Sequence, residues 1–287
     1  MPIPAAVRTV CLFLVAACGL FGQARQCTAT GDLEIVLFKS MVFPSPRSLR
    51  VLLPDGYRLP ENRGRRYPVL YLNDGQNLFD VCTSLFGGQE WRVDETVREL
   101  IASRKIQPII VVGMDSGGPR LRPKEYLPYV DVTLSPPEPE PRGKLYPKFL
   151  LDEVIPFIEH HYRVLPGARG RVLGGSSYGA GIALFAVMER PGSFAGLLLE
   201  SPSLYADDYH LLRNVRSVRE WPRRVYIGTG TIQEPVEDVQ KLEAILRKAG
   251  LQDDRLFIVV QQGAAHSEKW WGERLAGALQ FFFSRPA

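Results

Sequence analysis

The sequence is short of the residues that metal centres are built from: it has four histidines and four cysteines in 287 residues. The histidines are not at ligand spacing, and once the first two dozen residues are set aside only two isolated cysteines remain, Cys27 and Cys82. Both facts argue against a metal enzyme, and neither a metal nor another cofactor is expected. Charge of one sign is lacking too. Lys and Arg number 35 against 31 Asp and Glu, for a formal net charge of +4. Apart from clusters at 63–66 and 213–224, both read as solvated loops, the basic residues are scattered, and no nucleic-acid module is present. Internal repeats and linkers are missing as well, which favours one large domain over two.

Only one apolar run is long enough to discuss as a membrane or targeting element, and it lies at the N-terminus. Arg8 precedes a nearly uncharged stretch at 10–21, too short for a comfortable span and of the length of a signal-peptide core. Gly22 and Ala24 offer a cleavage site before Arg25. The expected division is therefore a signal peptide at 1–24 and one folded domain at 25–287, exported to the periplasm or outside the cell. A lipoprotein reading, with Cys18 of Val15-Ala16-Ala17-Cys18 as the lipidated residue, is the alternative. The apolar continuation through Leu20 and Phe21 favours plain cleavage. In an oxidising compartment Cys27 and Cys82 are able to pair, but spacing alone leaves the pairing open. Oligomeric state is likewise left open.

Hydrophobic periodicity then lays out the chain. Alternating residues at 33–38 and 48–53, followed by Pro54-Asp55-Gly56, read as an antiparallel entry to a sheet. Short apolar strands follow at 68–72, 108–114, 171–174, 196–199, 224–227 and 255–260. Helical patterns fall at 93–101, 149–162 (kinked or shortened near Pro156), 182–188, 236–248 and 270–283. Strands alternating with helices predict an α/β fold with a mostly parallel central sheet and helices on both faces. The stretch 132–142, crowded with proline and glutamate, is expected as an exposed excursion.

At Gly174-Gly175-Ser176-Ser177-Tyr178-Gly179 an apolar strand turns sharply into a helix. A serine in such a turn, flanked by residues without side-chain bulk, is pushed out above the sheet, and the following helix N-terminus supplies N–H groups to a developing oxyanion. Ser177 is the candidate nucleophile. A serine hydroxyl needs a base, and His266, in a small-residue stretch between the last strand and the last helix, has the chain position of an α/β-hydrolase histidine. His160, His161 and His210 read as surface or helix-terminal residues. The acid belongs after the 224–227 strand; Glu234 is chosen, with Glu237, Asp238 or no effective acid as alternatives. For the oxyanion hole the expected donors are the N–H groups of Tyr178 and of Gln76, the latter in the loop Asn73-Asp74-Gly75-Gln76-Asn77.

Together the stretches Tyr71-Leu72-Asn73-Asp74-Gly75-Gln76-Asn77, Glu90-Trp91-x-Val93-Asp94-Glu95, Arg122-x-x-Glu125-Tyr126-x-Pro128, Gly174-Gly175-Ser176-Ser177-Tyr178-Gly179, Ser201-Pro202-Ser203-Leu204 and His266-Ser267-Glu268-x-x-Trp271 resemble the Putative esterase family of α/β-hydrolases. That family includes enterochelin esterase-like proteins, esterase D, feruloyl and acetyl xylan esterases and mycolyltransferases. The resemblance runs from about residue 33 to the C-terminus. It implies an α/β-hydrolase fold and an esterase with Ser177, His266 and the named donors. It departs at Gly228-Thr229-Gly230-Thr231, where relatives often carry glutamate in place of Thr231, which leaves Glu234 as the nearest substitute.

The leading expectation is a secreted serine carboxylesterase working through an acyl-enzyme on Ser177. A non-catalytic carbohydrate- or envelope-binding hydrolase fold, and an acyltransferase using the same residues, are the alternatives. The partner is expected to be a small-molecule or saccharide ester. Trp91, Tyr126, Tyr205 and Trp271 are candidate rim aromatics for stacking on it.

Overall fold

A computed structural model describes residues 26–85, 88–132 and 134–285. The expected leader and Cys18 lie outside the described residues. Eight strands form one sheet in the order β1-β2-β4-β3-β5-β6-β7-β8. These are β1 (Asp32–Phe38), β2 (Arg47–Leu53), β3 (Val69–Asn73), β4 (Ile110–Met114), β5 (Arg171–Ser176), β6 (Gly196–Glu200), β7 (Arg224–Ile232) and β8 (Leu256–Ala265). The strand β2 runs antiparallel to both β1 and β4, while β4, β3 and β5 to β8 are mutually parallel.

Strands β3, β4 and β6 are buried at every position because both faces of the sheet are covered. Period-two alternation sends Val69 and Tyr71 of β3, Leu197 and Leu199 of β6, and Val225 and Ile227 of β7 into one core. Leu70, Leu72, Leu198 and Tyr226 go to the other. Helices α1 (Val93–Ala102) and α8 (Glu268–Phe283) cover the second face with Val97, Leu100, Leu275 and Leu279. Between α1 and α8 in sequence come α2 (Arg122–Tyr126), α3 (Tyr146–Lys148), α4 (Ile155–His161), α5 (Tyr178–Glu189), α6 (Ala206–Asn214) and α7 (Val236–Lys248). Of these, α4, α5, α6 and α7 pack on the first face. The helix α5 is buried over nearly its whole circumference, so its sequence, Tyr-Gly-Ala-Gly-Ile-Ala-Leu-Phe-Ala-Val, shows almost no polar side.

Several local expectations are corrected. The kink expected near Pro156 is a six-residue π-helical stretch, Phe149–Val154, between α3 and α4. The wider turn lies just where Pro156 withdraws one N–H from the helix ladder. The loop expected after Ile227 is strand as far as Ile232, and the small-residue stretch before His266 is also strand, because β7 and β8 pair on through Gly230↔Gln261 and, past a bulge, Ile232↔Ala265. Residues 206–214, where no helical pattern was expected, form α6, which buries Leu211 and Leu212. Cys27 and Cys82 are disulfide-bonded, joining the segment before β1 to the loop after β3.

Candidate active site

Ser177 stands between the end of β5 and the start of α5 with φ 56° and ψ −126°, a strained conformation for a residue with a side chain. The turn is tight enough that a Cβ on Gly175 would lie 2.8 Å from the carbonyl of Gly179 and 3.0 Å from Cβ of Asn73. The backbone is pinned from both sides: Ser177 N–H donates to Glu200 O at 2.9 Å, and Gly181 N–H donates to Ser177 O at 3.0 Å. At the start of α5 the N–H groups of Tyr178 and Gly179 have no intrahelical acceptor, as at any helix N-terminus, and are open to an anion.

The loop after β3 is held by buried ion pairs. Asp74 adopts a left-handed conformation (φ 58°), its carboxylate accepts two bonds from Arg122 at 2.8 Å each, and its N–H donates to the Tyr126 hydroxyl at 3.3 Å. A Cβ on Gly75 would collide with the Gly113 carbonyl carbon at 2.6 Å, so the loop lies flat on β4. The Gln76 side chain turns inward, its Oε1 accepting from Ser116 N–H at 3.1 Å. Beside it Arg47 and Glu125 form a second bidentate pair at 2.9 and 3.0 Å. The Arg122-x-x-Glu125-Tyr126 motif is thus the clamp that fixes the Asp74-Gly75-Gln76 turn. Removing one partner of such a pair leaves a buried charge uncompensated, which costs about 3–5 kcal/mol.

Continued pairing of β7 with β8 brings Glu234 to His266. Glu234 Oε2 lies 3.1 Å from His266 Nδ1, with the Glu234 side chain fully buried and the imidazole 38% exposed. The other carboxylate oxygen accepts from Ser201 Oγ at 2.6 Å, and Ser201 Oγ accepts from Trp271 Nε1 at 3.0 Å. The Trp271 ring meets the imidazole edge-on at 5.0 Å. Of the alternatives, Asp238 is tied to Lys241 at 2.8 Å and Glu237 is exposed in the first turn of α7. Thr231, at the position where glutamate was expected, accepts the Gly263 N–H at 2.9 Å and so joins the two strands.

Ser177 and His266 line one cavity of about 220 Å³ together with Asp74, Asn77, Arg122, Glu268 and Trp271. Among the described residues Ser177 Oγ bonds to Ser203 Oγ, at 3.3 Å, and not to the imidazole; such serine–histidine contacts commonly tighten only with substrate in place. Glu268 is a buried second carboxylate in this cavity. Burial raises it to about 7, and Asn77 Nδ2 donates to its Oε1 at 3.2 Å. Ser201, Ser203, Asn77 and Glu268 were not assigned roles from sequence; the signal available was that each follows a strand's carboxyl end, where α/β folds gather ligand-facing groups.

The aromatic expectations divide. Trp271 lines the cavity, and Tyr205 is at the surface, 37% exposed. Trp91 is corrected: only 2% exposed, it packs on Trp271 at 5.8 Å as core. Tyr126 is also buried, its hydroxyl engaged by Asp74, so neither is a rim residue. His160 and His161 end α4 in exposed positions, and His210 stacks on Tyr129 at 4.0 Å.

The sequence model of the Putative esterase family matches residues 40–282. The chain belongs to that family. As a member this esterase is a hydrolase of ester bonds. It is 20% identical over 250 residues to the uncharacterized protein YbbA of Bacillus subtilis, covering 83% of this chain and 93% of YbbA. It is 25% identical over 257 residues to an endo-1,4-beta-xylanase/feruloyl esterase of Xylanibacter ruminicola, covering 88% of this chain and 31% of that protein. Among solved structures it is similar to the enterobactin esterase FES of Shigella flexneri, with a TM-score of 0.69 at 18% identity over 89% of this chain and 60% of FES. The esterase has the expected α/β-hydrolase architecture. No helix among its described residues is long and apolar enough to cross a membrane.

Proposed function

We propose that the chain is an exported serine carboxylesterase in which Ser177 is the nucleophile, His266 the base and Glu234 the group that orients and charges the imidazole. The observation that carries this reading is the 3.1 Å contact of His266 Nδ1 with a buried Glu234 carboxylate, on the rim of the cavity that Ser177 lines. With Nδ1–H held by Glu234, Nε2 is the free acceptor. It takes the Ser177 proton as Oγ forms a bond to the ester carbonyl carbon. The resulting oxyanion lies against the N–H groups of Tyr178 and Gln76, each donor lowering the barrier by about 3 kcal/mol. Collapse expels the alcohol, which takes its proton from Nε2; water then attacks the acyl-enzyme with His266 again as base, releasing the acid and restoring Ser177.

The substrate class is a carboxylic ester with an aromatic or saccharide component. Support comes from the feruloyl esterase and enterobactin esterase names among its relatives and neighbours and from Trp271, an aromatic group on the wall of the cavity that Ser177 lines. Export rests on the N-terminal sequence and is compatible with the Cys27–Cys82 disulfide. The test is a panel of p-nitrophenyl esters, feruloylated and acetylated sugars and catecholate siderophores, run on the wild type and on Ser177→Ala, with fluorophosphonate labelling of both. Expected are hydrolysis and labelling by the wild type, and loss of both in a folded variant. Retention of most activity in Ser177→Ala removes Ser177 from its role, and an unlabelled, inactive wild type favours a binding protein.

A further inference from the structure

Away from the esterase cavity, three carboxylates converge where the chain enters α1. Glu90, Asp94 and Glu95 each place an oxygen within 4.8 Å of those of the other two. Asp94 is fully buried and Glu90 is 6% exposed. The arrangement leaves acceptors without donors: Glu90 Oε2, Asp94 Oδ1 and Glu95 Oε2 are buried atoms with no hydrogen-bond partner among the described residues. The remaining oxygens are used. Thr28 Oγ1 donates to Glu90 Oε1, Thr30 donates to Asp94 Oδ2 through its N–H at 2.6 Å and its hydroxyl at 2.8 Å, and Arg92 Nε reaches Glu95 Oε1 at 3.3 Å. Among the described residues, the mostly exposed Arg92 pairs with Glu95, and Lys269, on the wall of the neighbouring cavity, is drawn to Glu273 at 3.9 Å. Buried carboxylates so sparsely paired need either protons or a further positive charge: burial pushes Glu90 up to about 7 and Asp94 up to about 6, and a bound cation would hold all three ionised.

We propose that Glu90, Asp94 and Glu95 hold a calcium ion that fastens the segment around Thr28 and Thr30 to the start of α1. The donor set is oxygen only, which selects a hard cation. Three carboxylate oxygens all within 4.8 Å of one another are close enough to share one ion, and calcium, at about 2.3–2.6 Å with a flexible shell of about six to eight oxygens, accepts an irregular donor set completed by water. Magnesium, at about 2.0–2.1 Å with strict octahedral demands, tolerates an irregular donor set less readily. A surface cavity of about 630 Å³, lined by Thr28, Glu90 and Glu95 among others, gives the ion a path and room for the waters that complete its shell. The ion would work beside the Cys27–Cys82 bond, two fastenings on one stretch of chain.

The test uses the purified full chain freed of metal by a chelating resin. Calcium is titrated by calorimetry, and terbium luminescence is read with Trp91, the neighbour of Glu90, as the excitation antenna. We expect one calcium per chain and a thermal midpoint raised by about 5 °C at calcium a hundredfold above Kd. Terbium emission should rise on binding and fall when calcium competes. In Glu95→Gln, chosen because that side chain is partly exposed and the variant should fold, calcium affinity should drop at least tenfold with the chelated midpoint no lower than that of the wild type; Asp94→Asn should lose binding outright. No heat and no midpoint change with calcium, magnesium or manganese overturns the proposal and leaves shared protons as the state of the cluster. Equal calcium stabilisation of the wild type and of both variants overturns it too, since the ion then binds elsewhere. Esterase activity is not the readout, so the fate of the catalytic assignment does not affect the result.

Discussion

The substitution Glu234→Gln separates charge from shape at the proposed triad. The Glu234 side chain is wholly buried and its Oε2 lies 3.1 Å from His266 Nδ1. At an effective dielectric constant of about 20, a unit charge at that distance stabilises an imidazolium by ~5 kcal/mol. The ring is 38% exposed, so water screens part of this, and charge loss alone should lower kcat by about 10²- to 10³-fold. The hydrogen-bond chain adds a second effect. Trp271 Nε1 donates to Ser201 Oγ, which must then give its own proton to the 234 side chain. A glutamine there is obliged to accept from Ser201 with its carbonyl oxygen and to turn its NH₂ toward the imidazole. Nδ1 must then accept, the proton moves to Nε2, and the ring can no longer take the Ser177 proton. The combined loss is expected to reach about 10³- to 10⁴-fold in kcat with KM little changed. The assay is steady-state hydrolysis of a p-nitrophenyl ester. In the double variant Ser201→Ala/Glu234→Gln the amide is free to flip, so part of the activity should return, a coupling that additive effects do not produce. A loss under tenfold in Glu234→Gln, or a double variant slower than the product of the singles, refutes the reasoning.

Three further outcomes follow from the same structure. Burial raises Glu268 to about 7 from an ordinary value near 4.5, so between those pH values the folded protein holds more protons than the unfolded chain and this group's contribution to stability falls as pH rises. Glu268→Gln should therefore gain on the wild type between pH 5 and 8, by up to ~3 kcal/mol in urea midpoints; parallel pH profiles for the two proteins would rule this out. Cys82→Ser opens a loop with a sequence separation of 55, for which chain entropy gives up to ~4 kcal/mol, and should lower the thermal midpoint by several degrees while leaving kcat within twofold. Arg122→Lys keeps the charge but not the fork that binds Asp74; kcat/KM should drop about 10- to 100-fold with far-UV circular dichroism unchanged, and an unaffected rate would show that the Asp74-Gly75-Gln76 turn needs no clamp.

The linear chain carried those features that depend on neighbours a few residues away. Alternation at positions such as Val69, Tyr71 and Leu70, Leu72 reports strands covered on two faces. The crowding of Gly175, Ser177 and Gly179 reports a strand-to-helix turn, because backbone strain at one serine is relieved only by small residues close by. Proline and glutamate at 132–142 report an exposed excursion for the same local reason. What tertiary structure alone decided were the meetings of distant residues. Glu234 rather than Asp238 reaches His266 because β7 and β8 stay paired beyond the point where glycine and threonine suggest a loop, and a bulge then sets which side chain faces the imidazole. Cys27 found Cys82, and Trp91 went to the core against Trp271 of α8, which itself reaches the cavity. Local pattern encodes periodicity and steric freedom; inter-strand register is fixed by the whole sheet, and no single segment contains it.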